Sequence, residues 1–213
     1  MKRLLFIAIS FVLIQSVRAQ YDPKALETLE AMSQKYKSIH SFSANISYML
    51  TNDVDNINEE FKGKITVKGD KYRLALPEQE VINNGTTLWT YLPDVKEVNI
   101  DNYDNTSGDI NPSNIYDIYK KGFKYLYLKD EPEGGVLCEV IDLVPEKKDA
   151  QYFKIRMNIA KKDKSIKSFT MFDKGGNRYK YTITKFDPNV HVEDAYFSFD
   201  PKQYPGVEVI DLR

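Results

Sequence analysis

The sequence is short of the side chains from which most reactive centres are built. Its 213 residues contain one cysteine, Cys138, so an internal disulfide is excluded. That cysteine lies in the apolar run Val136-Leu137-Cys138-Glu139-Val140, where a small buried hydrophobe is the expected role rather than a reactive thiol. The two histidines, His40 and His191, belong to no HExxH, HxH or Cys/His set of the kind that binds a metal. No G-x-S-x-G elbow or Walker-type glycine loop occurs, and Gly175-Gly176 reads as a turn between strands. Charge of one sign is lacking too. Thirty Lys and Arg balance 31 Asp and Glu with the signs interspersed, which makes nucleic acid an unsuitable partner. Two acidic loops fail as calcium sites: an EF-hand register from Asp101 puts Tyr103 and Thr106 at key positions, and Asp53-Val54-Asp55 has no glycine after it. No catalytic residue, metal or cofactor is assigned. A pair of glycosidase-type carboxylates would show only in space, so an envelope hydrolase stays open as an alternative.

Long hydrophobic runs are also missing, apart from one at the N-terminus. Lys2 and Arg3 precede the apolar stretch 4–14, and Val17-Arg18-Ala19 follows it. The stretch is shorter than the roughly 20 residues that span a bilayer. Residues 1–19 therefore read as a secretory signal peptide cleaved before Gln20, and residues 20–213 as a single domain outside the cytoplasm. No cysteine stands directly after the run to carry a lipid.

Aromatic residues, by contrast, are abundant, with 15 Tyr and 11 Phe. Asp22-Pro23 caps and starts a helix over Pro23–Lys37, whose Leu26, Leu29, Met32 and Tyr36 recur at helical spacing. From Ser41 the period becomes two. Phe42, Ala44, Ile46, Tyr48 and Leu50 mark one strand; Phe61, Gly63, Ile65 and Val67 a second; Tyr72, Leu74 and Leu76 a third. Residues 81–100 then turn at Asn83-Asn84-Gly85 and again at Pro93-Asp94. Between those turns Leu88, Trp89, Tyr91 and Leu92 make a strand apolar on both faces, so a second layer covers it or one face lines a cavity. A polar loop, 101–111, leads to a short helix over 112–121, with Asn111 as cap, Gly122 as stop and Ile115, Ile118 and Tyr119 as its apolar stripe. Further strands are expected near 123–129, 136–144, 152–159, 166–172, 179–186 and 207–212. Strands joined by short turns predict an antiparallel meander, and so many must curl. Periodicity alone leaves open whether the curled sheet is filled by its own side chains or keeps a cavity.

The order of several segments resembles the outer-membrane lipoprotein carrier family, the LolA-type periplasmic chaperones. The resemblance rests on Leu29 to Phe42 with Ile46; Gly63-x-Ile65-x-Val67 with Lys71-Tyr72-Arg73; and Asn84-Gly85-Thr86-Thr87-Leu88-Trp89-Thr90-Tyr91. It continues in Asp173-x-x-Gly176-Asn177 and in Phe197-x-Phe199-x-Pro201 with the tail Pro205-Gly206-Val207-Glu208-Val209-Ile210-Asp211. It implies a mainly β fold with two short helical regions: a curled antiparallel sheet of about eleven strands forming an unclosed β-barrel lidded by helices. It further implies a monomeric periplasmic carrier, not an enzyme, that shields the acyl chains of lipoprotein cargo in an apolar cavity. An inner-membrane ABC transporter complex would load it and an outer-membrane receptor would unload it. Lipid-binding and lipid-sensing envelope proteins share the half-barrel and are the alternative. The cavity residues so implied are Leu29, Met32, Ile65, Val67, Tyr72, Leu74, Leu88, Trp89 and Tyr91, with Ile115, Ile118 and Tyr119 on the lid. Many members carry Arg-Pro as a lid latch where this chain has Lys68 or Gly69.

Overall fold

The computed structural model describes residues 21–104 and 111–213; the expected signal peptide, 1–19, and the middle of the polar loop lie outside them. Helix α1 spans Pro23–Lys37. The Asp22 carboxylate accepts the Lys24 amide N–H at 2.8 Å and that of Tyr127 at 3.2 Å, so one side chain caps the helix and ties its start to a strand. Strands follow as β1 (Ser41–Asn52), β2 (Ile57–Lys68), β3 (Lys71–Ala75), β4 (Glu80–Asn83), β5 (Thr87–Leu92) and β6 (Glu97–Asn102). After a short 3-10 helix, Ile115–Lys120, come β7 (Phe123–Glu133), β8 (Val136–Pro145), β9 (Tyr152–Ala160), β10 (Ile166–Asp173) and β11 (Arg178–Pro188). A tail with two 3-10 turns, Asp194–Phe197 and Pro201–Gln203, ends in β12 (Glu208–Asp211).

Among the described residues these strands form one sheet of twelve, in the order β12-β6-β5-β4-β3-β2-β1-β11-β10-β9-β8-β7. Two meanders, β1–β6 and β7–β11, meet where β1 pairs with β11. The end strands β12 and β7 do not pair with each other, so the sheet is an unclosed barrel. Bulges at Asn45/Ile46 in the β1–β11 ladder and at Tyr127/Lys129 in the β7–β8 ladder help it bend. The sequence leads one to expect about eleven antiparallel strands; the twelfth, β12, runs parallel to β6. Parallel pairing needs a long crossover, and the tail between β11 and β12 supplies it.

The segment 112–121 departs from expectation. Only Ile115–Lys120 is helical, and it is 3-10 rather than α, with Asn114 at its N-cap making no side-chain cap bond. Asn111 instead accepts the Ser113 amide at 3.0 Å and its hydroxyl at 2.7 Å, so local side-chain bonds compete with helix extension. Gly122, at φ +75°, ends the helix as its position in the sequence implies.

Helix α1 lies on the inner face of the sheet. Its Ala25, Leu29, Met32 and Tyr36 join Ile118 and Tyr119 of the short helix and Ile141, Leu143, Ile155, Met157 and Ile159 of β8 and β9 in the main core. The tail covers the outer face. There Ile82, Val98 and Phe199 form a second, smaller cluster with Trp89, Tyr91, Tyr204 and Val207. The strand apolar on both faces, β5, thus serves two cores.

Candidate functional site

Helix α1 does not fill the whole inner face. Beside it, over β1, β2, β3, β10 and β11, an apolar cavity of about 200 Å³ remains. Its walls are same-face residues taken from neighbouring strands: Ala44 and Ile46 of β1, Ile65 of β2, Leu74 of β3, Phe169 and Met171 of β10, and Tyr181 and Ile183 of β11. Pro112, Ile115 and Tyr116 roof it, and Tyr36 and Phe42 stand at one end. The polar atoms along it are few. Tyr36 accepts the Ile166 amide N–H at 3.1 Å, and burial pushes its pKa up to about 12, so the phenol stays neutral. Burial likewise raises the pKa of Tyr181. No Asp or Glu is among the described lining residues, so the carboxylate pair that a hydrolase would need is not found among them. This surface can hold apolar chains.

Residues 37–200 match the family model described as outer membrane lipoprotein carrier protein LolA. The chain belongs to the LolA family. Curated relatives include the outer-membrane lipoprotein carrier proteins of Yersinia pestis bv. Antiqua, 24% identical with 85% of this chain and 87% of that one covered, and of Pectobacterium carotovorum, 24% identical with 84% and 85% covered. A conserved protein from Thermus thermophilus shares the fold at TM-score 0.59 and 12% identity, covering 88% of this chain and 99% of that one.

For this member of the LolA family, the residues implied as cavity wall fall into three groups. Ile65 and Leu74 line the cavity. Leu29, Met32, Val67, Tyr72 and Leu88 pack in or against the main core instead of lining this cavity, and Val67 also borders the opening beside the β2–β3 turn. Trp89 and Tyr91 lie on the outer face under the tail. Of the lid residues, Ile115 touches the cavity, whereas Ile118 and Tyr119, 1% and 4% exposed, anchor the short helix in the core. Residues that sequence reasoning passes over include Ala44, Ile46, Phe169, Met171, Tyr181, Ile183 and Tyr116. One signal was available: Ala44 is the single small side chain among the large same-face residues of β1, and a cavity wall is where such a gap occurs.

The latch is built differently from the one the resemblance implies. Lys68 donates to the Val192 carbonyl at 2.9 Å and pairs with Asp194 at 2.9 Å, so it holds the tail rather than the short helix; Gly69 makes a turn at φ +57°. The short helix is tied to α1 instead. Its Asp117 accepts the Ser33 hydroxyl at 2.5 Å and pairs with Lys37 at 2.6 Å and Lys120 at 2.9 Å, while Tyr116 stacks on Tyr36 at 5.6 Å. Burial alone would raise the Asp117 pKa, but the hydrogen bonds from Lys37, Ser33 and Lys120 outweigh it and hold the carboxyl below its ordinary value. The clasp is therefore complete at neutral pH and above the ordinary aspartate value near ~4, and it is lost as pH falls through the lowered folded value. Asp117→Asn keeps the shape and removes both ion pairs, which are half exposed at the lysines and worth up to about 1 kcal/mol each. The expected result is hydrogen exchange at residues 115–120 several-fold faster, with global unfolding nearly unchanged. Unaltered exchange would mean that the clasp does not hold this segment.

Proposed function

We propose that the protein is a periplasmic carrier that takes a lipoprotein from the inner membrane, shields its acyl chains in the inner-face cavity and releases it at the outer membrane. The observation that supports this most is an apolar cavity roofed by a six-residue helix, set in a barrel of the LolA family. Each methylene kept out of water is worth about 0.8 kcal/mol, so an acyl chain crosses an aqueous space only inside such a shield. The cavity is smaller than the roughly 300–1,000 Å³ of pockets that enclose drug-sized ligands. Several acyl chains fit only if the roof moves aside, and a helix this short can undock because packing rather than its own hydrogen bonds holds it. An inner-membrane ABC transporter complex loads the protein, and a receptor or the outer membrane itself takes the cargo. The carrier works as a monomer, without cofactor or catalysis.

The test uses residues 20–213, purified and incubated with inner-membrane vesicles that carry labelled lipoprotein and an energised transporter. The expected result is labelled lipoprotein in the soluble fraction, complexed with the protein. If the label stays in the membrane pellet and extraction of the purified protein yields no lipid, the carrier reading fails.

A further inference from the structure

We infer that the cavity is the waist of a groove open at both ends, which takes a straight acyl chain lengthwise and sets no upper limit on its length. This deepens the carrier reading and rests on it. The geometry is laid out along β1, where Phe42, Ala44, Ile46 and Tyr48 face the same side at every second residue. Phe42 borders both the waist and a mouth of about 590 Å³ at the end formed by the β2–β3 turn. Ala44 and Ile46 line the waist, and Tyr48 lines a second mouth of about 470 Å³ at the opposite end, beside the β10–β11 turn. Met171 and Tyr181 belong to both the waist and this second mouth, so the two openings abut along one face of the sheet. At about 3.4 Å per residue, the run from Phe42 to Tyr48 covers about 20 Å. Half of a ~30 Å bilayer core, the depth of one layer of acyl chains, is about 15 Å.

Both ends carry charged groups, and the second is the richer in tyrosine. The first mouth carries His40, Asp70 and the ion-paired Lys37, Lys68, Lys71 and Asp194, a charged and hydrated rim that suits a polar head staying in water. The second is lined by the phenols of Tyr48, Tyr152, Tyr179 and Tyr181 together with Gln151, Asp173 and Lys174, apolar rings with polar groups at the rim, which suit the point where a chain end emerges into water. Nothing caps that end among the described residues lining it. A long chain therefore threads the waist and projects past Tyr48 instead of folding back.

The test measures displacement of a fluorescent fatty-acid probe by straight saturated fatty acids of about 10 to about 22 carbons, spanning lengths below and above one bilayer leaflet. Affinity is expected to rise by up to about fourfold per methylene until the groove is filled, then to level off. A fall of tenfold or more for the longest acids would show a blind pocket and overturn the inference. Tyr179 lines the second mouth and not the waist, so Tyr179→Trp narrows the exit and should weaken the long acids at least tenfold while sparing the short ones, which end inside the waist. Equal weakening of short and long acids would also overturn it. Tyr48→Trp, at the outer lip, makes the same test if the first variant does not fold. If no fatty acid displaces the probe at any length, the carrier reading falls as well, so the two failures are told apart.

Discussion

Ala44→Phe is expected to weaken binding of a fluorescent fatty-acid probe by at least tenfold while leaving the protein folded and about as heat-stable as before. Ala44 is 1% exposed and its methyl forms the wall of the cavity at the waist. A benzyl group there projects into the void that an acyl chain would occupy. Two energies oppose each other in the folded state. Filling a void recovers about 24 cal/mol per Å³, whereas overpacking a core costs about 1–3 kcal/mol. With a cavity of about 200 Å³ beside the substituted carbon, the gain offsets much of the strain. Binding has no such compensation, because the chain and the ring compete for one space. Tyr91→Phe, on the outer face under the tail, is the control and should bind the probe normally. Full binding by Ala44→Phe would show that lipid sits elsewhere.

The largest loss of stability is expected for Phe197→Ala. Phe197 is fully buried, in the 3-10 turn Asp194–Phe197 that packs over β3. Removing a buried phenyl ring costs about 3–5 kcal/mol, because the transfer energy is lost and a cavity is left. For a domain of this size that corresponds to a fall in Tm of roughly 10 °C. The turn is the anchor of a strap that crosses the outer face. Beyond it, Arg73 pairs with Glu80 at 2.7 Å and donates to the Tyr204 hydroxyl at 2.9 Å, and that hydroxyl donates to Glu80 at 2.7 Å. These polar contacts locate the strap but contribute modestly once its aromatic anchor is gone. The protein has one tryptophan, Trp89, and it packs in the outer cluster beneath the strap. Its emission should shift to the red before the sheet itself melts. A Tm within about 2 °C of the parent protein would show that the phenyl ring is not an anchor.

Much of this molecule is written in short-range patterns. Helix α1 is legible to the residue, since Asp22, Pro23 and the Leu29–Met32–Tyr36 spacing act within a few residues of chain. The strands are legible because alternation has a period of two, and Asn84 and Gly85 announce their turn by the local bonds Asn84 makes to Thr86 and Thr87. Family membership is legible from the order of such segments, each weak by itself. Other features need distances that no local pattern carries. Whether β5 turns Leu88 or Trp89 toward the helix depends on which side the tail crosses, about a hundred residues later in the chain. The clasp from Asp117 to Ser33 joins side chains 84 residues apart, so neither residue advertises the other. The cavity is the least legible of all. It is the volume left when one amphipathic helix covers a face wider than itself, and an unfilled volume belongs to the assembled layers rather than to any residue that borders it.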